Sequence, residues 1–218
     1  MIEYIQREGI LLEECMEKNK MDCQRELYRE ITAYLQHINF ARNCCVAYKS
    51  LYDNIQKNEQ ILNNAVGFFT ITRFALSKCL LIELSKLFHG SSPQRTVRKL
   101  IGKVRANQPA FIVGDIGSIC EECERKLEEC DSIITRLAMR RNKDLAHNDP
   151  IFFFGDRNPA DENYISLDEC EDLIAFVFAF CKILLECLPA YDTICLDSGA
   201  DDFNEFIDVI KRGGCFNQ

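Results

Sequence analysis

Arg141 and His147, six residues apart in the run Arg141-Asn142-Lys143-Asp144-Leu145-Ala146-His147, are the pair in this chain best suited to chemistry. Arginine offers a planar, permanently charged fork for phosphate oxygens. Histidine is the one side chain whose unperturbed pKa lets it both take and give a proton near neutrality. Together they suit work on a phosphodiester, and neither needs a metal to act.

Their spacing asks for a particular local structure. Along a straight helix six residues amount to ~9 Å of rise and ~600° of rotation, so the two side chains would not share a face. Pro150 disfavours helix at Asp149, and Asn148-Asp149-Pro150 is a turn signal, so His147 is expected in the last turn of a helix or just beyond it. Helical side chains lean toward the N-terminus, and from that position an imidazole can lean back toward the long Arg141.

The elements that must position this pair read as helices. Leu27, Ile31, Tyr34, Ile38, Ala41, Cys45, Tyr48, Tyr52 and Ile55 alternate steps of four and three, one stripe of a long helix. Residues 1–20 are expected to form a further helix. A second long helix is expected over about 59–89, stopped by Gly90-Ser91-Ser92-Pro93, and antiparallel to the first. A short basic helix follows over about 94–106, and 107–117 reads as a connection. Ile116, Cys120, Cys123, Leu127, Cys130, Ile134 and Leu137 then repeat the four-three step, and the next step of four lands on Arg141, which places a charge on an inward register.

Leu167, Cys170, Ile174, Val177, Cys181, Leu184 and Leu188 form a last long stripe. Ser166 is a suitable N-cap for it, and the acids at 168, 169, 171 and 172 suit the positive end of the helix dipole. Residues 201–212 predict a short amphipathic helix, and only 151–154 looks strand-like. The whole predicts an all-α bundle of antiparallel long helices with additional short helices. One domain over 1–218 is expected, with its core at about 25–190 and an acidic extension at 191–218.

Charge divides the chain at the motif. Residues 1–143 hold 22 Lys/Arg against 18 Asp/Glu, whereas 144–218 hold 4 against 16. A net charge of −8 argues against a protein that simply coats nucleic acid, since that binding draws on Lys and Arg. Residues 89–114 nevertheless contain no acid, and Arg98, Lys103, Arg136, Arg140 and Lys143 are candidate phosphate contacts on a local basic face. The plainer reading is that these charges are solvated helix faces.

Other chemistries find little support. Cys120-Glu121-Glu122-Cys123 has thiol spacing seen in metal and redox sites, but no second pair completes a tetrahedron, and both thiols fall on an apolar stripe. The 13 cysteines are expected to be reduced packing residues. His89 is expected to cap a helix and His37 to be half exposed. No P-loop, nucleophile elbow, dinucleotide fingerprint or paired-carboxylate metal signature is present, and no cofactor is expected. The opening segment lacks the pattern of a signal peptide, and the longest apolar run, residues 173–181, falls short of the ~20 needed to span a bilayer. A cytoplasmic protein without a membrane partner is expected.

Arg141 followed by a polar Asn142 and then His147 resembles the Arg-x4-6-His signature of the HEPN superfamily. The string from Arg141 through Asp149 is similar to its abortive-infection-like branch, and Glu83-Leu84-Ser85-Lys86-Leu87-Phe88-His89 shares the character of that branch. The resemblance covers roughly residues 60–190. It implies an all-α, usually dimeric protein, since many HEPN proteins are metal-independent endoribonucleases whose two motifs meet across the dimer interface.

On that resemblance, His147 is general base or acid, Arg141 binds the phosphate and stabilises charge growing on it, and Asn142 orients the pair or the substrate. The nucleophile is the RNA's own 2′-hydroxyl, and single-stranded RNA is the natural target. A toxin or antiviral role follows from the resemblance, with an antitoxin protein as a possible partner. The acidic C-terminal portion could regulate the site, and the rival reading is a non-catalytic HEPN-like interaction module with a structural Arg141.

Overall fold

The computed structural model describes residues 2–57, 65–89, 95–112, 114–142, 161 and 163–189. Within these, six α-helices account for nearly all regular structure, with no strand among the described residues. They are α1 (Ile2–Lys57), α2 (Val66–Phe88), α3 (Val97–Ala106), α4 (Ile116–Glu129), α5 (Asp131–Arg140) and α6 (Leu167–Glu186). A short 3-10 turn, Gln108–Ala110, lies between α3 and α4.

The expected helix over 1–20 and the long stripe from Leu27 are one continuous element, α1, of 56 residues. No proline occurs between 2 and 57 and the single glycine is Gly9, so nothing in the sequence obliges the helix to break. At 1.5 Å per residue it is ~84 Å long, more than the bundle it supports. Its buried stripe begins at Gln24 and Leu27 and runs through Ile31, Tyr34, Ile38, Ala41, Cys45 and Leu51. The stripe does not continue as expected at its C-terminal end, where Tyr52 is 55% exposed.

Helices α1 and α2 are antiparallel. His37 on α1 meets Glu83 on α2, while Tyr48 and Tyr52 share a cleft with Ser77 and Leu80, so numbers rising in one helix fall in the other. The second helix begins later than its pattern predicts. Ala65, at φ −143° and ψ 41°, is not helical, and Val66 is the first residue of α2. At the other end His89 is extended and its backbone N–H bonds the Ser85 carbonyl, which closes the helix from the main chain.

The apolar helix α6 packs on α1, and its Cys170, Leu173, Ile174, Val177, Phe180, Cys181 and Leu184 are all buried. Its N-terminus carries the expected cap in full. Ser166 Oγ accepts from the Glu169 N–H at 3.1 Å, and the Glu169 carboxylate accepts from the Ser166 N–H at 2.9 Å. Beyond its C-terminus, Ile112 N–H bonds the Cys187 carbonyl at 2.9 Å. Gly114, at φ +92°, lies there with only 2.9 Å between the place of a Cβ and Cys187 Sγ, so a side chain is excluded on two grounds.

The motif-bearing stripe is two helices rather than one. Cys130, at φ −89° and ψ 1°, separates α4 from α5, although Ile134 N–H still bonds the Cys130 carbonyl at 2.9 Å. The bend leaves Ile116, Cys120, Cys123 and Leu127 buried in α4 and Leu137 buried in α5, with Cys130 and Ile134 half-buried between them. The expected strand-like stretch at 151–154, the helix at 201–212 and the acidic extension lie outside the described residues. No helix among the described residues is long and apolar enough to cross a membrane.

Candidate functional site

The site is built outward from Leu137. This side chain is fully buried and anchors the end of α5 on the bundle, and one turn later Arg141 emerges from the same face, half-buried. Arg141 keeps helical angles, φ −56° and ψ −50°, and its N–H is shared between the Leu137 and Ala138 carbonyls. Arg141 and the exposed Asn142 are wound as a wider π-type turn, a distortion that recurs at functional positions in helices. Lys143 and His147 lie outside the described residues.

Beside this helix end is an open cleft of about 490 Å³. Arg140 lines it, with Tyr48 and Tyr52 from α1, Ser77, Leu80 and Leu81 from α2, and the segment from Tyr164 to Asp168 leading into α6. Arg136, one turn earlier, holds the wall of the cleft in place. Its guanidinium donates to the Tyr164 carbonyl and to the Glu169 carboxylate, which is at 2.5 Å. That guanidinium and the Ser166 N–H hold the Glu169 carboxyl below its ordinary pKa. The same Glu169 therefore closes the α6 cap and ties α6 to α5.

The other predicted cations are not gathered here. Arg98 is 3.6 Å from Asp131 at the opposite end of α5, ten residues or ~15 Å along the helix from Arg141. Lys103 is 22% exposed and bonds Glu26 and Glu30 of α1, both at 2.6 Å. Arg95 and Arg105 are likewise matched, to Glu30 and Glu124. The acid-free stretch around α3 therefore finds its acids on α1, α4 and α5, and in the folded chain it is neutralised rather than a basic face. Of the predicted set, Arg140, Arg141 and Asn142 stand together, while Arg136, Arg98 and Lys103 are interhelical ties.

A second polar cluster had no signal in spacing. His37 Nδ1 lies 3.0 Å from Glu83 Oε2, and Lys86 Nζ lies 2.5 Å from Glu83 Oε1, at a cleft of about 410 Å³ that Arg29 and Arg95 also line. The Glu83 side chain is only 12% exposed. Burial alone would raise its pKa, but the bonds from Lys86 and His37 outweigh that and hold it below the ordinary value, so Glu83 is a buried carboxylate. Lys86 is an i,i+3 neighbour of Glu83 on the same helix, but His37 comes from α1 at a sequence separation of 46, which periodicity cannot reveal.

Most of the described cysteines sit as small hydrophobes in the core, Cys79 being exposed. Cys120 and Cys123 are buried on the apolar stripe of α4, and burial pushes both thiols up, that of Cys123 far above the usual range. Cys170 and Cys181 are pushed up to about 12 for the same reason. Such thiols are neutral and poor nucleophiles.

An antiparallel helical pair, a capped apolar helix across it, and a short helix leading into Arg141 and Asn142 make up an all-α domain. A family model described as AbiU2, of the HEPN type, matches residues 26–206, and the chain belongs to this abortive-infection family. No curated protein matches the chain, and no solved structure does. The matched span starts within α1 one residue before Leu27, where its buried stripe begins in earnest.

Proposed function

We propose that this chain is a metal-independent endoribonuclease acting on single-stranded RNA, and that it serves as a toxin or antiviral effector. The observation that carries the reading is the position of Arg141 and Asn142 at the π-wound end of α5, next along the chain from Arg140, which lines an open cleft, in a family chain whose sequence supplies His147 six residues on. Arg141 would bind a phosphate oxygen and offset charge developing on it. His147 would take the proton of the 2′-hydroxyl or give one to the leaving 5′-oxygen, with Asn142 orienting the pair. Arg140 and Lys143 are the remaining cations proposed to meet the RNA backbone.

In-line displacement at phosphorus sets the entering 2′-oxygen and the leaving 5′-oxygen on opposite sides, so one fixed imidazole does not reach both. Two copies of the chain would bring two, so a homodimer with a composite site is part of the proposal. Val66, Phe68, Ile71 and Phe74 on the N-terminal half of α2 are more than half exposed and offer an apolar surface for such pairing. No cofactor enters the scheme.

The intramolecular pairing of Arg98, Lys103 and Arg136 favours the rival reading, an interaction module without catalysis, because few cations remain to hold RNA. The products decide between them. In EDTA, purified protein should cut single-stranded RNA to leave 2′,3′-cyclic phosphate ends, and should spare the same oligomer with a 2′-deoxyribose at the cut position. Cleavage of the deoxy-substituted position, or no cleavage of any RNA, would contradict the proposal.

A further inference from the structure

The cleft beside the motif carries more aromatic surface than phosphodiester chemistry uses. Tyr48, Tyr52 and Tyr164 line it from two sides, and Tyr52 and Tyr164 are 55% and 64% exposed. The four-three stripe of α1 would bury Tyr52 in the bundle, yet the structure leaves it facing open space. Both tyrosines stand on fixed backbone: Tyr52 on a helix, and Tyr164 where Arg136 bonds its carbonyl just before the capping box of α6. Exposed aromatic rings beside a guanidinium are the parts from which proteins build platforms for unpaired bases, since every base has a π-face. The volume, about 490 Å³, falls in the range of small-molecule sites.

One lining group adds selectivity. Asp168 is exposed in the first turn of α6 and makes no hydrogen bond or ion pair among the described residues. An ionised carboxylate only accepts hydrogen bonds, and it repels phosphate, so it suits the edge of a base rather than the backbone. Adenine, cytosine and guanine present an exocyclic amine to such an acceptor, whereas uracil presents none.

We propose that this cleft is the base-recognition subsite of the site at Arg141, in which Tyr52 and Tyr164, with Tyr48 beside them, stack one unpaired base of an RNA and Asp168 accepts from its exocyclic amine. Arg140 then contributes its guanidinium at the rim toward the adjoining phosphate. The inference rests on the ribonuclease reading for the identity of the ligand, but base binding and bond cleavage are separable by experiment.

The test uses the full-length chain carrying His147→Ala, so that bound RNA is not consumed, and 3′-labelled hexamers of adenylate, cytidylate or uridylate at fixed salt, read by fluorescence anisotropy. The chain contains no Trp, so its intrinsic emission comes from tyrosine, and stacking should quench it. The expected result is binding with quenching, adenylate and cytidylate preferred over uridylate by about tenfold. Adding Tyr52→Leu and Tyr164→Leu together should weaken binding at least tenfold with an unchanged helical circular-dichroism spectrum, and Asp168→Asn should erase the preference. Binding that survives the double tyrosine variant, a preference that survives Asp168→Asn, or no binding by the parent overturns the subsite. Tyrosine-dependent binding by a chain that, with His147 intact, cuts no RNA supports the subsite while contradicting the nuclease reading. Cleavage by the His147 chain that is indifferent to both tyrosines does the reverse.

Discussion

Glu83 shows how a single residue couples chemistry to stability in this chain. Its carboxylate is buried and receives bonds from Lys86 and His37, and its pKa is depressed in the fold. A depressed carboxylate contributes stability above its unfolded pKa, near 4.5, and loses it as pH falls through the lower folded value. Glu83→Gln keeps the shape and removes the charge, so it should cost about 1–2 kcal/mol at pH 7. Urea unfolding at pH 7 and below pH 4 tests this: the gap between parent and variant should shrink in acid, and a gap constant across that range would refute it. At the same scale the half-buried position of Arg141 was legible in the sequence, because a charge on an apolar register is visible in the spacing. The environment of His37 was not, because its partner is 46 residues away.

At the scale of elements, one capping box, its tie to Arg136 and one bend set the geometry of the cleft. The Ser166–Glu169 box begins α6 and, through Arg136, locks α6 to α5. Ser166→Ala should remove about 1 kcal/mol, read as a lower urea midpoint with an unchanged slope. Glu169→Ala should cost more, since it breaks the cap and also strands Arg136 in a partly buried place. Equal losses in the two variants would show that the Arg136 tie contributes nothing.

The stripes of α1 and α6 and the cap at Ser166 could be read from the sequence because apolar period and hydroxyl placement act locally. Three features could not. The fusion of the first helix with the segment before it reflects only the absence of a breaker. The bend at Cys130 occurs at a residue that also fits the helical stripe. The exposure of Tyr52, next to the fully buried Leu51, depends on the cleft that α1, α2 and the segment leading into α6 leave between them, which no local pattern records.

At the scale of the molecule, the charge division in the sequence has a different meaning in three dimensions. The acid-free stretch around α3 looked like an anion-attracting face, but α1, α4 and α5 meet Arg95, Arg98, Lys103 and Arg105 with their own acids. The charge of these four cations is therefore taken up in ties between helices, not spread along a groove. A composite site needs two copies, and sedimentation equilibrium should return twice the chain mass of 25.2 kDa. Introducing Phe68→Glu and Ile71→Glu on the exposed face of α2 should return the single-chain mass and reduce cleavage, and a dimer that persists in this variant would exclude that face as the interface.

If Arg141 and His147 carry out metal-free cleavage of RNA, single-stranded RNA incubated in EDTA with the parent, Arg141→Ala and His147→Ala proteins, each first shown by circular dichroism to be equally helical, will show it. The parent should cleave, and each variant should lose at least a hundredfold. Cleavage that continues undiminished in both variants would contradict it.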